Sequence, residues 1–207
     1  KSPLETSVNT FLVNTGSKLV LIDTGAAKLF GPTMGNLIDN LRASGYKPED
    51  VDEVYITHMH GDHIGGLMNG SERAFPNAVV RGDKGDADFW LSQEQLDKAP
   101  DALKGRFKLA QSILGAYKNA GKYQPFDGST QLVDGIRSIV TRGHTPGHSM
   151  YVVESKGEKL VLIGDMMHVA AIQFAQPAVT IQFDSDSPTA ATQRANLYQQ
   201  GAKEQFI

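Results

Sequence analysis

The chain carries, at residues 57–66, the stretch Thr57-His58-Met59-His60-Gly61-Asp62-His63-Ile64-Gly65-Gly66. If His58 and His60 are extended, their side chains share one face and can bind the same ion. Asp62 and His63 follow a glycine, where a chain reversal would direct them to a second ion beside the first. Imidazole nitrogens and carboxylate oxygens suit Zn²⁺ and similar divalent ions. The stretch therefore predicts a metal site rather than a polar loop with surface histidines.

The composition restricts how a metal can be bound. The chain has no cysteine, which excludes disulfides, cysteine-ligated zinc and thiol catalysis. All six histidines lie in three short segments, 58–63, 144–148 and 168. The formal charge of −3 gives no reason to expect a nucleic acid or an anionic membrane as partner. Histidine and carboxylate side chains are therefore the expected ligands.

The 207 residues fit one domain, 1–207, in which short apolar strands end in polar or glycine-rich loops. Residues 86–120 are expected to form a helical, cap-like insertion of two or three short helices broken at Pro100 and Gly105. Further helices are predicted over 33–44 and 187–200. The predicted strands are 11–13, 18–22, 52–57, 136–142, 150–154, 159–163 and 179–183. Rigid strands would thus deliver ligands to one rim.

A second histidine loop reads Gly143-His144-Thr145-Pro146-Gly147-His148. Pro146 fixes one dihedral angle and Gly147 frees another, so the loop has a defined shape that can present an imidazole. We predict that His144 is a metal ligand. His148 is either a further ligand or a hydrogen-bond partner that supports one.

Two aspartates end buried strands. Asp165 follows the strand 160–163, where its two carboxylate oxygens can bridge two cations; the alternative is a structural Asx turn. Asp23 stands at a similar strand end and is expected to form a turn that supports the site. His168, three residues after Asp165, is expected to face the metals.

Four motifs, in this order, resemble those of the metallo-β-lactamase-fold hydrolases: strand-Asp-Thr-Gly, Thr-His-x-His-x-Asp-His-x-Gly-Gly, Gly-His-Thr-Pro-Gly-His-Ser and strand-Gly-Asp. The resemblance implies an α+β fold, an αββα sandwich with a dinuclear metal site at the edge of the β-sandwich. It also implies the ligands: His58, His60 and His144 for one metal, Asp62 and His63 for the other, and Asp165 bridging.

Five further segments resemble methyl parathion hydrolase and its lactonase relatives: 30–33, 74–81, 87–92, 97–100 and 184–187. This resemblance implies an exported, homodimeric enzyme, although residues 1–5 show no signal peptide. This chain departs from methyl parathion hydrolase at His168, Ile181 and Phe183. A polar histidine and a bulky phenylalanine at these positions suit a flat lactone or aryl ester as substrate. The expected pocket residues are Phe30, Trp90, Phe107, His168, Ile181 and Phe183.

The same relatives carry amino-terminal strands before the position of residue 1 and a last histidine ligand after the segment that matches 179–200. We therefore expect both termini to be incomplete relative to the family. If that ligand is truly absent, the alternative is a non-catalytic fragment without a complete second metal site.

The expected reaction is hydrolysis by a water activated between two divalent ions, Zn²⁺ in the first place and Co²⁺, Mn²⁺ or Fe²⁺ as alternatives. Asp62, Asp165 and His168 are the candidate catalytic residues. Lactones or aryl esters are the expected substrates, with side activity on organophosphate triesters. A dedicated phosphotriesterase is the alternative. A nuclease would need a basic groove, and a β-lactamase usually has cysteine or serine in place of Asp165.

Overall fold

The computed structural model describes residues 6–204, which divide into two compact units. The amino-terminal unit comprises Val8–Phe126, and the carboxy-terminal unit comprises residues 6–7 and 127–204. Residues 1–5, which lack a signal-peptide pattern, and the chain end at Ile207 lie outside the described residues. In the described part of the chain, no helix is both long and apolar enough to cross a membrane.

The amino-terminal unit is built on a mixed sheet with the strand order β1-β2-β3-β6. Its strands are β1 (Phe11–Asn14), β2 (Leu19–Ile22), β3 (Glu53–Tyr55) and β6 (Val79–Arg81), and β4 (Met68–Asn69) pairs separately with β5 (Glu72–Arg73). The strands predicted over 11–13 and 18–22 are confirmed as β1 and β2, which pair antiparallel, and β2, β3 and β6 run parallel. Because the carboxyl ends of parallel strands meet at one edge, the loops that begin at Asp23, Ile56 and Gly82 leave the sheet on the same side.

Five helices complete this unit: α1 (Leu37–Ala43), α2 (Gly61–Ile64), α3 (Lys84–Trp90), α4 (Gln93–Lys98) and α5 (Asp101–Asn119). Single 3₁₀ turns occur at Pro48–Asp50 and Gly65–Leu67. The break at Pro100 is confirmed, since α5 begins directly after that residue.

The predicted break at Gly105 is wrong, because α5 continues through it. A glycine inside a helix costs about 1 kcal/mol relative to alanine. Burial of one large apolar side chain contributes about 1.5–3 kcal/mol, and α5 buries Phe107, Ile113 and Leu114 in the core of the unit. Tertiary packing therefore outweighs the glycine, and α5 is part of the core.

The carboxy-terminal unit contains an antiparallel sheet with the strand order β10-β9-β8-β7. Its elements are β7 (Gln131–Val133), β8 (Ile136–Val140), β9 (Ser149–Ser155), β10 (Glu158–Leu162), a 3₁₀ turn at Gly164–Met166, α6 (Ala170–Gln173) and α7 (Ser187–Glu204). The three strands and the last helix predicted between 136 and 200 are confirmed to within a few residues.

The predicted strand over 179–183 is wrong, since 179–181 are irregular and 182–183 form a turn. Their backbone groups bond locally or to side chains instead of to a neighbouring strand. Val179 N–H donates to the carbonyl of Gln176, and Val179 C=O accepts from Gln173 and Arg194. The alternation of apolar residues in 179–183 therefore does not correspond to a sheet.

Candidate metal centre

In the amino-terminal unit, two ligand nitrogens converge directly after β3. His58 Nε2 lies 3.0 Å from His60 Nδ1, and His58 is buried. Two nitrogens bound tetrahedrally to one zinc, each at about 2.0–2.1 Å, lie roughly 3.3 Å apart. The two imidazoles thus have nearly the spacing that a shared ion requires, as the alternating histidines predicted.

The next two predicted ligands lie on the short helix α2. Asp62 Oδ2 is 3.7 Å from His63 Nε2. The imidazole of His63 is buried, whereas one third of the Asp62 side chain is exposed. The helical turn after Gly61 therefore places a second pair of donors beside each other. A Cβ on Gly61 would meet Leu109 at 2.9 Å and Phe30 at 3.8 Å, so side-chain packing favours glycine there.

Asp23 supports both the ligand helix and the strand before it. Its backbone is left-handed, with φ 56°, and its Oδ2 lies 2.8 Å from His63 Nδ1. The same carboxylate accepts hydrogen bonds from Thr57 N and Thr57 Oγ1. A carboxylate on Nδ1 fixes the imidazole with its proton on that atom and presents Nε2 as the ligating nitrogen. Asp23 is thus more than the structural turn that its Asp-Thr-Gly context suggests.

The glycine pair after the ligands allows the loop of Asp23 to approach closely. A Cβ on Gly66 would lie 2.0 Å from the carbonyl oxygen of Thr24, a distance that no side chain tolerates. Thr24 donates hydrogen bonds to the His63 carbonyl from both its backbone N–H and its hydroxyl. Glycine at position 66 therefore permits the close approach of these two backbone segments.

Helix α3 contributes a residue that sequence reasoning missed. Asp86 is buried, and its Oδ2 accepts a hydrogen bond of 2.8 Å from the backbone N–H of Met59. This contact fixes the backbone between His58 and His60. No motif marks Asp86; only its burial in the first turn of α3 reveals it.

The predicted aromatic pocket residues of this unit differ in exposure. Phe30 is 63% exposed, whereas Trp90 is buried with its ring 5.4 Å from that of His60. Phe107 is a core residue of α5, because it is 1% exposed and packs behind Trp90 at 4.7 Å. Phe107 therefore supports Trp90 and offers no surface to a substrate.

In the carboxy-terminal unit, Asp165 lies between two imidazoles. Its Oδ2 is 3.3 Å from His144 Nε2 and 3.1 Å from His168 Nε2. Asp165 stands in the 3₁₀ turn after β10, and His144 follows β8 in the loop predicted from Pro146 and Gly147. His168 therefore lies beside Asp165 within this unit.

Asp184 orients His144 and was missed as a site residue. Its Oδ1 lies 2.9 Å from His144 Nδ1, and its side chain is fully buried. Burial opposes the charged form of His144, yet the hydrogen bonds with Asp165 and Asp184 raise its pKa above the ordinary value. Burial likewise opposes ionisation of Asp184, but the bond with His144 lowers the pKa of this carboxyl. The predicted strand over 179–183 gave no indication of this contact.

His148 has both ring nitrogens engaged by the protein. Nε2 accepts a hydrogen bond of 3.0 Å from the backbone N–H of Asp165, and Nδ1 lies 2.8 Å from Thr141 Oγ1. The ring is fully buried. Of the two roles left open by the sequence, this geometry favours support of Asp165 over ligation. Ile181 is half-buried and Phe183 is 40% exposed on the turns before Asp184.

Comparison with known proteins identifies the family. A model of the metallo-beta-lactamase superfamily matches residues 4–200. The N-acyl homoserine lactonase of Bacillus cereus is 25% identical over 203 residues, which cover 89% of this chain and 73% of that protein.

Two solved structures are closely similar. One is described as the hydrolase AbOPH in the beta lactamase superfamily, with a TM-score of 0.91 and 37% identity over 97% of this chain and 70% of that one. The other is AidC, a dizinc quorum-quenching lactonase in complex with a product, N-hexanoyl-L-homoserine. Its TM-score is 0.89 and its identity 29%, over 98% of this chain and 71% of that one.

The donors present in each unit fit divalent ions. They are imidazole nitrogens and carboxylate oxygens that already lie side by side, and the ligand nitrogens of His63 and His144 are selected by carboxylates on their far sides. The predicted fold family is confirmed: the chain belongs to the metallo-β-lactamase superfamily and is a metal-dependent hydrolase of that mixed α/β fold.

Proposed function

We propose that this chain opens lactone rings by hydrolysis with the help of two bound divalent ions. We propose Zn²⁺ because it binds imidazole nitrogens and carboxylate oxygens. The relative AidC is also described as a dizinc lactonase. The proposed ligands are His58, His60 and His144 for one ion, Asp62 and His63 for the other, and Asp165 for both.

One observation carries the proposal: the likeness to AidC, which extends over 98% of this chain. The AidC structure contains the opened form of an N-acyl homoserine lactone. The four donors at 58–63 of the proposed site are all present here. The lactonase of Bacillus cereus supports the same substrate class independently.

The reaction adds a water oxygen to the carbonyl carbon and breaks the ring C–O bond, so that an alkoxide leaves and takes up a proton. Two divalent ions, when bound, lower the pKa of the water and polarise the carbonyl oxygen. Asp62 is partly exposed and can pass a proton between the attacking water and the leaving alkoxide. His168 is a second candidate proton donor, held by its Nε2 beside Asp165.

The surroundings of the ligands favour a flat, partly apolar substrate. Phe30 is an exposed ring whose Cζ lies close to Gly61, whereas Trp90 is buried against the ring of His60. An exposed aromatic face such as that of Phe30 can bind an acyl or aryl group. The bulk of Ile181 and Phe183, where they match pocket positions of the relatives, would suit a planar ester better than a tetrahedral phosphotriester, so we propose organophosphate triesters only as side substrates.

The test compares kcat/KM of the zinc-loaded protein on N-hexanoyl homoserine lactone, dihydrocoumarin and methyl paraoxon, with the metal content measured in parallel. We expect both lactones to exceed the phosphotriester by orders of magnitude. The reverse order would overturn the proposal in favour of a phosphotriesterase of the methyl parathion hydrolase type.

A second outcome separates a hydrolase from a non-catalytic fragment. Less than one tightly bound metal per chain, with no hydrolysis after addition of Zn²⁺, Co²⁺ or Mn²⁺, would refute both enzymatic alternatives. We expect two metals per chain and lactone hydrolysis that depends on them.

A further inference from the structure

We infer that Arg194 and Gln173 are positioning residues, which fix the backbone that carries Asp165 and His168. Neither residue belongs to a motif, and neither contacts a proposed ligand side chain. The inference rests on the proposed function, because it assigns a purpose to the placement of Asp165 and His168. Both residues lie in the carboxy-terminal unit.

Arg194 projects from α7 and is the bulkiest of the fully buried side chains in the described residues. Its Nε donates to the carbonyl of Met166 at 2.5 Å. Its Nη1 donates to the carbonyls of Pro177 and Val179 at 2.7 and 2.8 Å. Among residues 6–204, no carboxylate forms an ion pair with this guanidinium. The guanidinium therefore binds backbone alone.

A buried cation without a carboxylate is costly, so packing does not explain Arg194. Removing an ionised guanidinium from water carries a large free-energy penalty, which well-placed carbonyls only partly offset. An apolar side chain of similar volume would fill the same space without that penalty. The planar guanidinium fork instead holds several acceptors in one fixed geometry, and here it connects Met166 with the turn at Pro177–Val179.

Gln173, at the end of α6, holds the other side of the same segment. It is 3% exposed, and its Oε1 accepts from the backbone N–H groups of His168 at 2.7 Å and Val169 at 3.0 Å. Its Nε2 donates to the carbonyl of Val179, which also accepts from Arg194. The two side chains thus share one carbonyl and fix backbone groups on both sides of His168.

The segment needs these bonds because it has no neighbouring strand. Asp165 has non-helical dihedral angles within its 3₁₀ turn, and the chain from Met167 to Val169 is irregular. His148 holds the N–H of Asp165 from the opposite end. Side chains therefore replace a sheet ladder at the point where Asp165 Oδ2 must lie within 3.1–3.3 Å of two imidazoles. A displacement of about 1 Å at such a site can cost roughly 100-fold in rate.

The experiment compares Arg194→Met and Gln173→Leu, which keep side-chain volume and remove the donors and acceptors. Ser138→Ala is the matched control: Ser138 is equally buried in β8 and bonds the carbonyls of Gly128 and Thr130, away from the segment. The readouts are kcat and KM for N-hexanoyl homoserine lactone, zinc affinity by chelator competition, amide hydrogen exchange and Tm.

For both positioning variants we expect kcat to fall roughly 100-fold, with a smaller change in KM. Zinc should bind more weakly, and the amides of His168 and Val169 should exchange faster. Arg194→Lys keeps one cationic donor and should recover part of kcat. Ser138→Ala should lower Tm and leave kcat, KM and zinc affinity unchanged.

A purely structural role predicts a different result. If Arg194→Met and Gln173→Leu lower Tm while the folded protein keeps the kcat, the zinc affinity and the amide exchange of the wild type, the inference is overturned. Should Arg194→Met fail to fold, Arg194→Lys and Gln173→Leu decide by the same criteria. A wild-type protein without lactone hydrolysis would refute the proposed function, while amide exchange and zinc affinity would still decide the positioning role.

Discussion

The two units present their proposed ligands in opposite ways. In the amino-terminal unit, four donors follow each other within residues 58–63, and the local turn at Gly61 brings them together. In the carboxy-terminal unit, His144 and Asp165 come from separate loops that a four-stranded sheet places side by side. The first arrangement is a property of local sequence, whereas the second depends on tertiary structure.

Supporting contacts follow the same division. Asp23, in the loop after β2, and Asp86, in the first turn of α3, contact the amino-terminal ligand segment from the same sheet edge. The carboxy-terminal ligands depend on Asp184, Gln173 and Arg194, which lie on turns and helices without a recognisable motif. We therefore expect the carboxy-terminal site to be more sensitive to substitutions far from the ligands.

The largest effect is expected for Asp165→Ala. Removal of the carboxylate that both ions are proposed to share should reduce the bound zinc from two to at most one per chain and abolish lactone hydrolysis. Elemental analysis and initial rates measure both. Asp88→Asn on the exposed face of α3 serves as control and should change neither. Two zinc ions in Asp165→Ala would refute the bridging assignment.

A smaller effect is expected when an orienting carboxylate is replaced. Asp23→Asn removes the charge beside His63, and Asp184→Asn removes the charge beside His144. Each should weaken metal binding or activity by about 10–100-fold, as measured by chelator competition and kcat/KM. The control is Asp52→Asn, whose carboxylate accepts from Leu19 N in the same sheet as Asp23.

If Asp23→Asn and Asp52→Asn lowered zinc affinity and kcat/KM equally, a loss of general stability, and not of the orientation of His63, would explain the effect. The contrast between the units is sharpened if Asp184→Asn lowers zinc affinity and kcat/KM more than Asp23→Asn does.

Metal binding should also depend on pH through His144. Its pKa is raised in the metal-free protein by hydrogen bonds with Asp165 and Asp184. A protonated imidazole cannot bind a metal, so zinc affinity should decrease as pH falls through this raised pKa. In the metal-free fold the same bonds add stability at low pH, which is lost as pH rises through the raised pKa.

Titration calorimetry with zinc between pH 5 and 8 measures this dependence, with Asp184→Asn as the comparison. Removal of one stabilising carboxylate lowers the pKa of His144, so the decrease in zinc affinity should move to lower pH. An unchanged pH profile in Asp184→Asn would contradict this explanation.

The smallest effects concern two glycines of the amino-terminal unit. Gly66→Ala places a Cβ against the carbonyl of Thr24 and should lower the free energy of unfolding by at least about 1–3 kcal/mol. Gly105→Ala has open space in α5 and should raise it by about 0.5–1 kcal/mol. Chemical denaturation measures both; a destabilised Gly105→Ala would show that the packing of α5 has been misinterpreted.

Sequence reasoning recovered what local patterns encode. The cluster at 58–63, the loop around His144, Asp165 at a strand end and the family were all predictable from motifs. The continuation of α5 through Gly105 was not, because a weak local penalty was outweighed by burial of distant side chains.

The supporting residues were missed for the same reason. Asp86, Asp184 and Arg194 act through contacts with residues 27, 40 and 28 positions away. Apolar residues alternate over 179–183 as they would in a strand. Gln173 of α6 and Arg194 of α7, however, donate hydrogen bonds to the carbonyl of Val179. Only the tertiary structure shows such contacts.

The most direct test of a two-metal lactonase is a zinc titration of the metal-free protein, with acid release from N-hexanoyl homoserine lactone as the readout. We predict no release without metal, a rise that is complete at two zinc ions per chain, and loss of activity on addition of a chelator. Activity that is complete at one zinc ion, or no acid release at any zinc concentration, would contradict the two-metal lactonase.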